Sequence, residues 1–208
     1  MKAFIFDLDG VIVFTDRYHY QAWKVLADDL QIPFDETVND RLRGIGRMES
    51  LDIILEKTDK IYSMEEKTAF AEKKNNIYKE LLKQMQPSDV SDEVRKTLEE
   101  LQKRGHRLAI GSSSKNTKFI LKQVGIEGYF DAISDGTNIT KSKPDPEVYV
   151  KAAEFLEEEV TNCIVVEDAK AGIDAAKAAD MMAVGIGDAA NYEKTDVAIT
   201  LFSQLLDI

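Results

Sequence analysis

Hydrophobic positions along the chain fall into short continuous runs, and most of these runs are separated by stretches with helical spacing. Short apolar runs are typical of strands buried on both faces of a parallel sheet. We predict strands at 3–6, 108–110, 132–133, 164–166, 182–186 and 197–199. Helical patterns run from Ser91 to Gly105 and from 116 to 124, and another begins at Pro146. This alternation predicts an α/β fold with a doubly wound parallel sheet, which is a Rossmann-like core.

One stretch breaks the alternation. Between the first predicted strand and the second, the chain has no run with strand character, but helical patterns recur at 18–30 and 65–82. We therefore predict a small α-helical domain inserted into the α/β core. The predicted boundaries are 15–86 for the insertion, and 1–14 with 87–208 for the core.

Composition narrows the class of protein. A chain of 208 residues suffices for one domain with a small insertion. Its net charge of −11 argues against nucleic acid or an anionic membrane as the main partner. The single cysteine, Cys163, lies in an apolar run and is expected to be a buried, inert thiol. We see neither a signal peptide nor an apolar stretch of membrane-spanning length, so we expect a cytoplasmic enzyme.

The first predicted strand ends in two acids and a glycine, Asp7-Leu8-Asp9-Gly10. Acids spaced i, i+2 on an extended chain point to the same side, so they can share one metal or one substrate. Burying two carboxylates costs several kcal/mol unless a cation or a proton compensates them. We therefore predict a functional site here, the alternative being a polar turn.

Three later segments also place polar groups after an apolar strand or before a helix. The run Ser112–Asn116 offers hydroxyls and backbone N–H groups suited to an anion, although a simple helix cap would have the same composition. Lys143 is held between a strand and a proline-started helix, where it is either a fixed cation for a phosphoryl oxygen or an exposed loop lysine. Glu167 and Asp168 end another apolar run and would complete the ligands that Mg²⁺ prefers.

These four elements, in this order, resemble the haloacid dehalogenase superfamily, in its phosphotransferase branch with an aspartate nucleophile. The resemblance implies that Asp7 attacks phosphorus to give an aspartyl-phosphate and that Asp9 is the general acid and base. Ser112 and Lys143 would hold the transferring phosphoryl group. The implied ligands of Mg²⁺ are Asp7, Asp9 through its backbone carbonyl, Glu167 and Asp168. The insertion at 15–86 stands where that superfamily carries an α-helical cap domain.

The insertion itself is similar to that of the β-phosphoglucomutase family at 15–23, in the loop 42–47 and at 73–75, and the run 112–116 also matches. By this resemblance Arg47, Ser114 and Asn116 would grip the non-reacting phosphate. Lys74 would reach the sugar, and His19 would help set the protonation of Asp9. The remaining residues that the resemblance implies are Thr15 in the catalytic group, and Gly44, Ser113, Lys115 and Trp23 in the substrate site.

The implied activity is a Mg²⁺-dependent interconversion of β-glucose 1-phosphate and glucose 6-phosphate by a monomer acting on sugar monophosphates and bisphosphates. A mutase holds a bisphosphate in two orientations, so it needs a second anion site, for which the forked guanidinium of Arg47 is suited. Two alternatives stay open, a sugar-phosphate phosphatase and a catalytically inactive binding protein. Phe14, Arg43, Gly46 and Ala169 depart from the family pattern, and the first three leave the exact sugar open.

Overall fold

The computed structural model describes residues 2–42 and 45–208. The chain divides into two compact units. One comprises the residues up to Phe14 together with Gln86–Ile208, and the other is Thr15–Met85. Within the described residues, none of the helices combines the length and the apolar character needed to cross a membrane.

The first unit contains a parallel sheet, which has six strands in the described part of the chain. These are β1 (Ala3–Phe6), β2 (Arg107–Gly111), β3 (Ala132–Ser134), β4 (Cys163–Glu167), β5 (Met182–Gly185) and β6 (Val197–Ala198). They are ordered β3-β2-β1-β4-β5-β6, and every neighbouring pair is parallel. The strands predicted from the apolar runs are confirmed to within one residue at each end.

Helices occupy both units. The inserted unit holds α1 (Asp16–Asp29), α2 (Glu36–Asp40), α3 (Arg47–Leu55) and α4 (Met64–Leu82). The sheet unit holds α5 (Asp92–Lys103), α6 (Thr117–Gln123), α7 (Glu147–Leu156) and α8 (Lys170–Ala178). The helices expected near 18–30 and 65–82 are present as α1 and α4, so the inserted segment is helical, as predicted.

Both faces of the sheet are covered, which confirms the doubly wound fold. Because side chains alternate along a strand, Ala3 and Ile5 of β1 join one core cluster with residues of α7 and α8. Phe4 and Phe6 point to the other face, where the Phe6 ring packs on Phe202 with centroids 5.6 Å apart. Burial on two faces explains why the strands are continuous apolar runs.

The inserted unit has a hydrophobic core of its own, built from one face of α1 and residues of α3 and α4. Its longest helix, α4, begins with a reciprocal cap at Ser63. The Ser63 Oγ accepts from the Glu66 N–H at 3.2 Å, and the Glu66 carboxylate accepts from the Ser63 N–H at 2.8 Å. Two N–H groups that would otherwise lack partners are thereby satisfied, which fixes where the helix starts.

Candidate active site

The carboxyl ends of β1 and β4 lie side by side where the strand order of the sheet reverses. Phe6 is paired with Val166, and the Asp7 N–H donates to the Val166 carbonyl at 2.9 Å. Open α/β sheets bind ligands at such a point because the connections leave the two strands towards opposite faces. The sheet therefore brings Asp7 together with Glu167 and Asp168, from segments far apart in the chain.

Lys143 lies between two of these carboxylates. Its Nζ is 2.6 Å from Asp7 Oδ1 and 2.6 Å from Glu167 Oε1, and the residue is 7% exposed. Burial alone would lower the pKa of Lys143, but the charges of Asp7 and Glu167 outweigh burial and raise it above its ordinary value. Lys143 is therefore a buried, permanently protonated cation rather than an exposed loop lysine.

The acids nevertheless outnumber the cation. The pKa of Asp7 is raised to about 7, because burial and the charge of Glu167 raise it by more than Lys143 lowers it. The pKa of Asp168 rises to about 8, first through burial and then through the charges of Asp7 and Glu167. Asp9 belongs to the same group, since its charge contributes to both shifts. Such an excess of negative charge favours an additional cation.

The donor set fits a hard divalent metal ion. Asp7, Glu167 and Asp168 each offer a carboxylate oxygen, and these oxygens lie within 4.8 Å of one another. Carboxylate oxygens are the protein ligands that Mg²⁺ prefers, and a few of them suffice because Mg²⁺ keeps several waters. The residues present thus match the predicted metal.

Gly10 allows Asp168 to approach the loop after β1. Its φ is +84°, a conformation that residues with a Cβ rarely adopt, and a Cβ there would lie 2.0 Å from Asp168 Oδ2. Glycine is therefore required for two reasons, the backbone conformation and the space that the Asp168 carboxylate occupies.

The loop after β2 differs in one respect from the sequence interpretation. The N–H groups of Ser114 and Asn116 donate to the hydroxyls of Ser112 and Ser114, each at 3.2 Å, and the Ser112 N–H donates to Ser134. Three of the five backbone N–H groups of the run 112–116, which was expected to bind an anion, therefore have partners inside the protein. The buried Ser112 hydroxyl accepts the hydrogen bond from the Ser114 N–H. Accepting this bond does not use the hydroxyl proton, so Ser112 can still donate to a ligand.

The other predicted residues of this loop have different surroundings. The Ser113 hydroxyl is buried and has no hydrogen-bond partner among the described residues. Lys115 is exposed, and buried Asn116 immediately precedes α6. The structure therefore places the run 112–116 at the carboxyl edge of β2, next to the end of β1.

The inserted unit carries a separate polar group between α1 and α4. Thr15, His19 and Trp23 are spaced four residues apart, as are Lys74 and Tyr78, so each set faces one side of its helix. Lys74 Nζ is 2.9 Å from His19 Nδ1 and lies 4.6 Å from the centroid of the Trp23 ring. The Tyr78 hydroxyl donates to Thr15 Oγ1 at 3.1 Å.

Burial and nearby positive charges determine the protonation state of His19. Burial lowers its pKa well below the ordinary value, and the nearby positive charges of Lys74 and Arg47 lower it further. His19 is therefore neutral at pH 7, and its Nδ1 accepts from the Lys74 ammonium.

Arg47, the predicted ligand of a second phosphate, is the first residue of α3 and is partly buried. Burial lowers its pKa, although an arginine stays charged at any physiological pH. Gly46 caps α3, and its N–H donates to the Glu49 carboxylate at 3.1 Å. Gly44, also predicted to bind substrate, lies outside the described residues.

One residue of the site was missed by the sequence analysis. Tyr149 is fully buried in α7, and its hydroxyl donates to Glu167 Oε1 at 2.8 Å. Burial and the charges of Glu167 and Asp7 raise the pKa of Tyr149 well above its ordinary value, so it is a neutral donor. In the sequence it is one of several large apolar residues on the core face of a helix, and nothing in that pattern distinguishes it.

The comparisons with known proteins agree with this geometry. Residues 1–180 match the family model of haloacid dehalogenase-like hydrolases. The chain belongs to this family. The β-phosphoglucomutase of Bacillus subtilis is 40% identical over 207 residues, which cover 99% of this chain and 92% of that protein. The resemblance recognised from the ordered motifs is therefore confirmed.

Solved structures and other relatives extend the comparison. A crystal structure of β-phosphoglucomutase from Clostridium difficile is similar with a TM-score of 0.91 at 40% identity, covering 99% of this chain and 93% of that one. The phosphorylated carbohydrates phosphatase of Thermotoga maritima is 32% identical over 86% of this chain and 82% of its own length. Relatives of the chain thus include both mutases and sugar-phosphate phosphatases.

Proposed function

We propose that this protein is a β-phosphoglucomutase, which interconverts β-glucose 1-phosphate and glucose 6-phosphate. The observation that carries the proposal is the buried contact of Lys143 with Asp7 and Glu167, within the acidic group at the end of β1 and β4. The alignment to the Bacillus mutase, at 40% identity, covers 99% of the chain and so spans both units, which favours the mutase over other activities of the family.

In the proposed reaction, a carboxylate oxygen of Asp7 attacks the phosphorus of the bound sugar phosphate. The bond between phosphorus and the sugar oxygen breaks, and Asp9 gives that oxygen a proton as general acid. Lys143, already 2.6 Å from the Asp7 carboxylate, offsets the charge on the phosphoryl oxygens as they arrive. In the return step Asp9 takes the proton of the acceptor hydroxyl, which attacks the aspartyl-phosphate and frees Asp7.

The residues that would hold Mg²⁺ are Asp7, Asp9 through its carbonyl, Glu167 and Asp168. When bound, the ion would neutralise phosphoryl charge in the way a Lewis acid does. The chain's own contribution is Lys143, whose charge and hydrogen bond lower the pKa of Asp7 against the burial that raises it to about 7.

We assign the choice of phosphoryl acceptor to the inserted unit. Arg47 would bind the second phosphate of a bisphosphate, and Lys74, held by His19 and Trp23, would bind a sugar hydroxyl. A sugar hydroxyl rather than water would then resolve the aspartyl-phosphate. The protein is proposed to act as a monomer.

A phosphatase is the second candidate, and the relative from Thermotoga maritima supports it. The two activities are separated by a paired assay on the purified protein with Mg²⁺, β-glucose 1-phosphate and a trace of the 1,6-bisphosphate. Glucose 6-phosphate is followed through a coupled dehydrogenase, and inorganic phosphate is followed in the same samples. The mutase predicts glucose 6-phosphate without matching phosphate release, whereas release without glucose 6-phosphate would contradict it.

The role of Arg47 is tested in the same assay. Arg47→Ala should reduce mutase turnover by about 100-fold or more, because a bidentate charged contact is lost, and should affect hydrolysis of a monophosphate far less. Arg41→Ala is the matched control, since Arg41 only forms an exposed ion pair with Glu56 at 2.8 Å in the same unit. Equal loss of both activities in Arg47→Ala would contradict a specific role in second-phosphate binding.

A further inference from the structure

Tyr149 occupies a position in the site that the proposed mechanism does not use. It lies in the first turn of α7, shortly after Lys143, and has no exposed surface. Its hydroxyl donates to Glu167 Oε1 at 2.8 Å. A buried hydroxyl without a partner costs free energy, so this contact specifies a tyrosine where packing alone would accept a phenylalanine.

The contact completes the hydrogen bonding of Glu167. Its Oε1 accepts from Lys143 Nζ at 2.6 Å as well as from Tyr149, and its Oε2 accepts from the Ala169 N–H at 2.8 Å. One carboxylate oxygen accommodates about two donors, so Oε1 is saturated. Three donors from three separate segments hold the Glu167 carboxylate in one orientation.

Tyr149 also contacts the cation directly. Lys143 Nζ lies 4.8 Å from the centroid of the Tyr149 ring, a distance typical of cation–π contacts. The ring occupies space left by Gly111 at the end of β2, where a Cβ would lie 2.6 Å from Tyr149 Cδ1. Gly111 therefore leaves room for the Tyr149 ring, and Lys143 places a positive charge over the ring.

We propose that Tyr149 is a positioning residue, which fixes Glu167 and through it aims Lys143 at the Asp7 carboxylate. Lys143 is shared between Asp7 and Glu167 at equal distances, so the placement of Glu167 decides where the ammonium sits. This role rests on the proposed phosphoryl transfer at Asp7. It requires only the hydroxyl of Tyr149, since the ring would still pack and still contact Lys143 in a phenylalanine variant.

The experiment compares Tyr149→Phe with the wild-type protein in two measurements. We expect kcat to fall by about 10-fold or more while KM changes less than about twofold, because the hydroxyl acts on the phosphoryl centre and not on sugar binding. Calorimetric binding of orthovanadate with Mg²⁺, a measurement without turnover, should weaken by a similar factor, since vanadate mimics the transferring group. Tyr192→Phe is the matched control, because Tyr192 also donates to a carboxylate, Asp174, outside the site.

A double-mutant cycle with Glu167→Gln distinguishes positioning from general stabilisation. If Tyr149 acts through Glu167, adding Tyr149→Phe to Glu167→Gln should cost less than about twofold more in vanadate affinity. Full additivity of the two substitutions, or a Tyr149→Phe variant with wild-type kcat and vanadate affinity, would overturn the proposal. A wild-type protein that neither turns over sugar phosphates nor binds vanadate would instead overturn the proposed function, and this role with it.

Discussion

Replacing Asp7 with asparagine separates the chemistry of the site from its effect on stability. Asparagine keeps the shape of the side chain and an oxygen that accepts from Lys143, but it cannot attack phosphorus. We expect Asp7→Asn to abolish turnover and, without divalent cations, to raise the free energy of unfolding at neutral and alkaline pH. Lost activity together with gained stability is an unusual combination, because most substitutions at buried polar positions destabilise.

The expected gain in the free energy of unfolding follows from the pKa of Asp7, which is 3.8 in an unfolded chain and about 7 in the folded protein. The folded state therefore holds the proton more tightly, and the protein loses stability as the pH rises from about 4 to about 7. One pKa unit corresponds to about 1.4 kcal/mol, so ionised Asp7 opposes folding by up to about 4 kcal/mol at pH 8. For a chain of this size that is about 8–16 °C in Tm.

The assay is thermal unfolding in a chelator between pH 5 and pH 8.5, with Asp59→Asn as a control that removes a charge from an exposed aspartate. The Tm advantage of Asp7→Asn should grow from pH 5 to about pH 7 and level off above the folded-state pKa of Asp7. Saturating Mg²⁺ should then raise the Tm of the wild-type protein more than that of the variant, which lacks a ligand. A variant less stable than the wild type at pH 8, or an advantage independent of pH, would refute the electrostatic reasoning.

Other expectations concern the same sheet unit. Lys143→Met should lower the free energy of unfolding in urea by about 3–5 kcal/mol at pH 8, since it leaves two buried carboxylates unpaired; an unchanged urea midpoint would contradict the ion pair. Gly10→Ala should cost at least about 1–3 kcal/mol and weaken calorimetric Mg²⁺ binding because its Cβ meets Asp168, whereas Gly128→Ala, which faces open space, should do neither. The Cys163 thiol, with its pKa raised to about 11 mainly by burial, should react with a disulfide reagent only after unfolding; fast reaction in the native protein would contradict its burial.

The strands, and the meeting of the acids at the carboxyl ends of β1 and β4, were predictable because they depend on the local pattern of apolar and polar residues. The apolar runs of β1 and β4 give way to acids, Asp7 after β1 and Asp168 after β4. Parallel strands deliver such ends to one edge, so these acids had to meet. The ordered motifs then gave the family, which the comparisons confirmed.

Other features depend on contacts between distant segments and leave no trace in local pattern. The pairing of His19 with Lys74 joins residues 55 positions apart, and it follows only from the packing of α1 on α4. Tyr149 looks like any apolar residue of a core-facing helix until its hydroxyl is seen on Glu167. In the run 112–116, two serine hydroxyls accept hydrogen bonds from backbone N–H groups of the same loop. These bonds likewise depend on the backbone conformation of the loop, which the sequence pattern does not specify.

The central claim, that Asp7 carries the phosphoryl group, is tested most directly by trapping the intermediate. The protein is mixed with Mg²⁺ and β-glucose 1,6-bisphosphate labelled in its phosphoryl groups, quenched in acid and digested. The account predicts a hydroxylamine-sensitive label on the peptide that contains Asp7, and no label in Asp7→Asn. A label on another residue, or sugar phosphate turnover by Asp7→Asn, would contradict it.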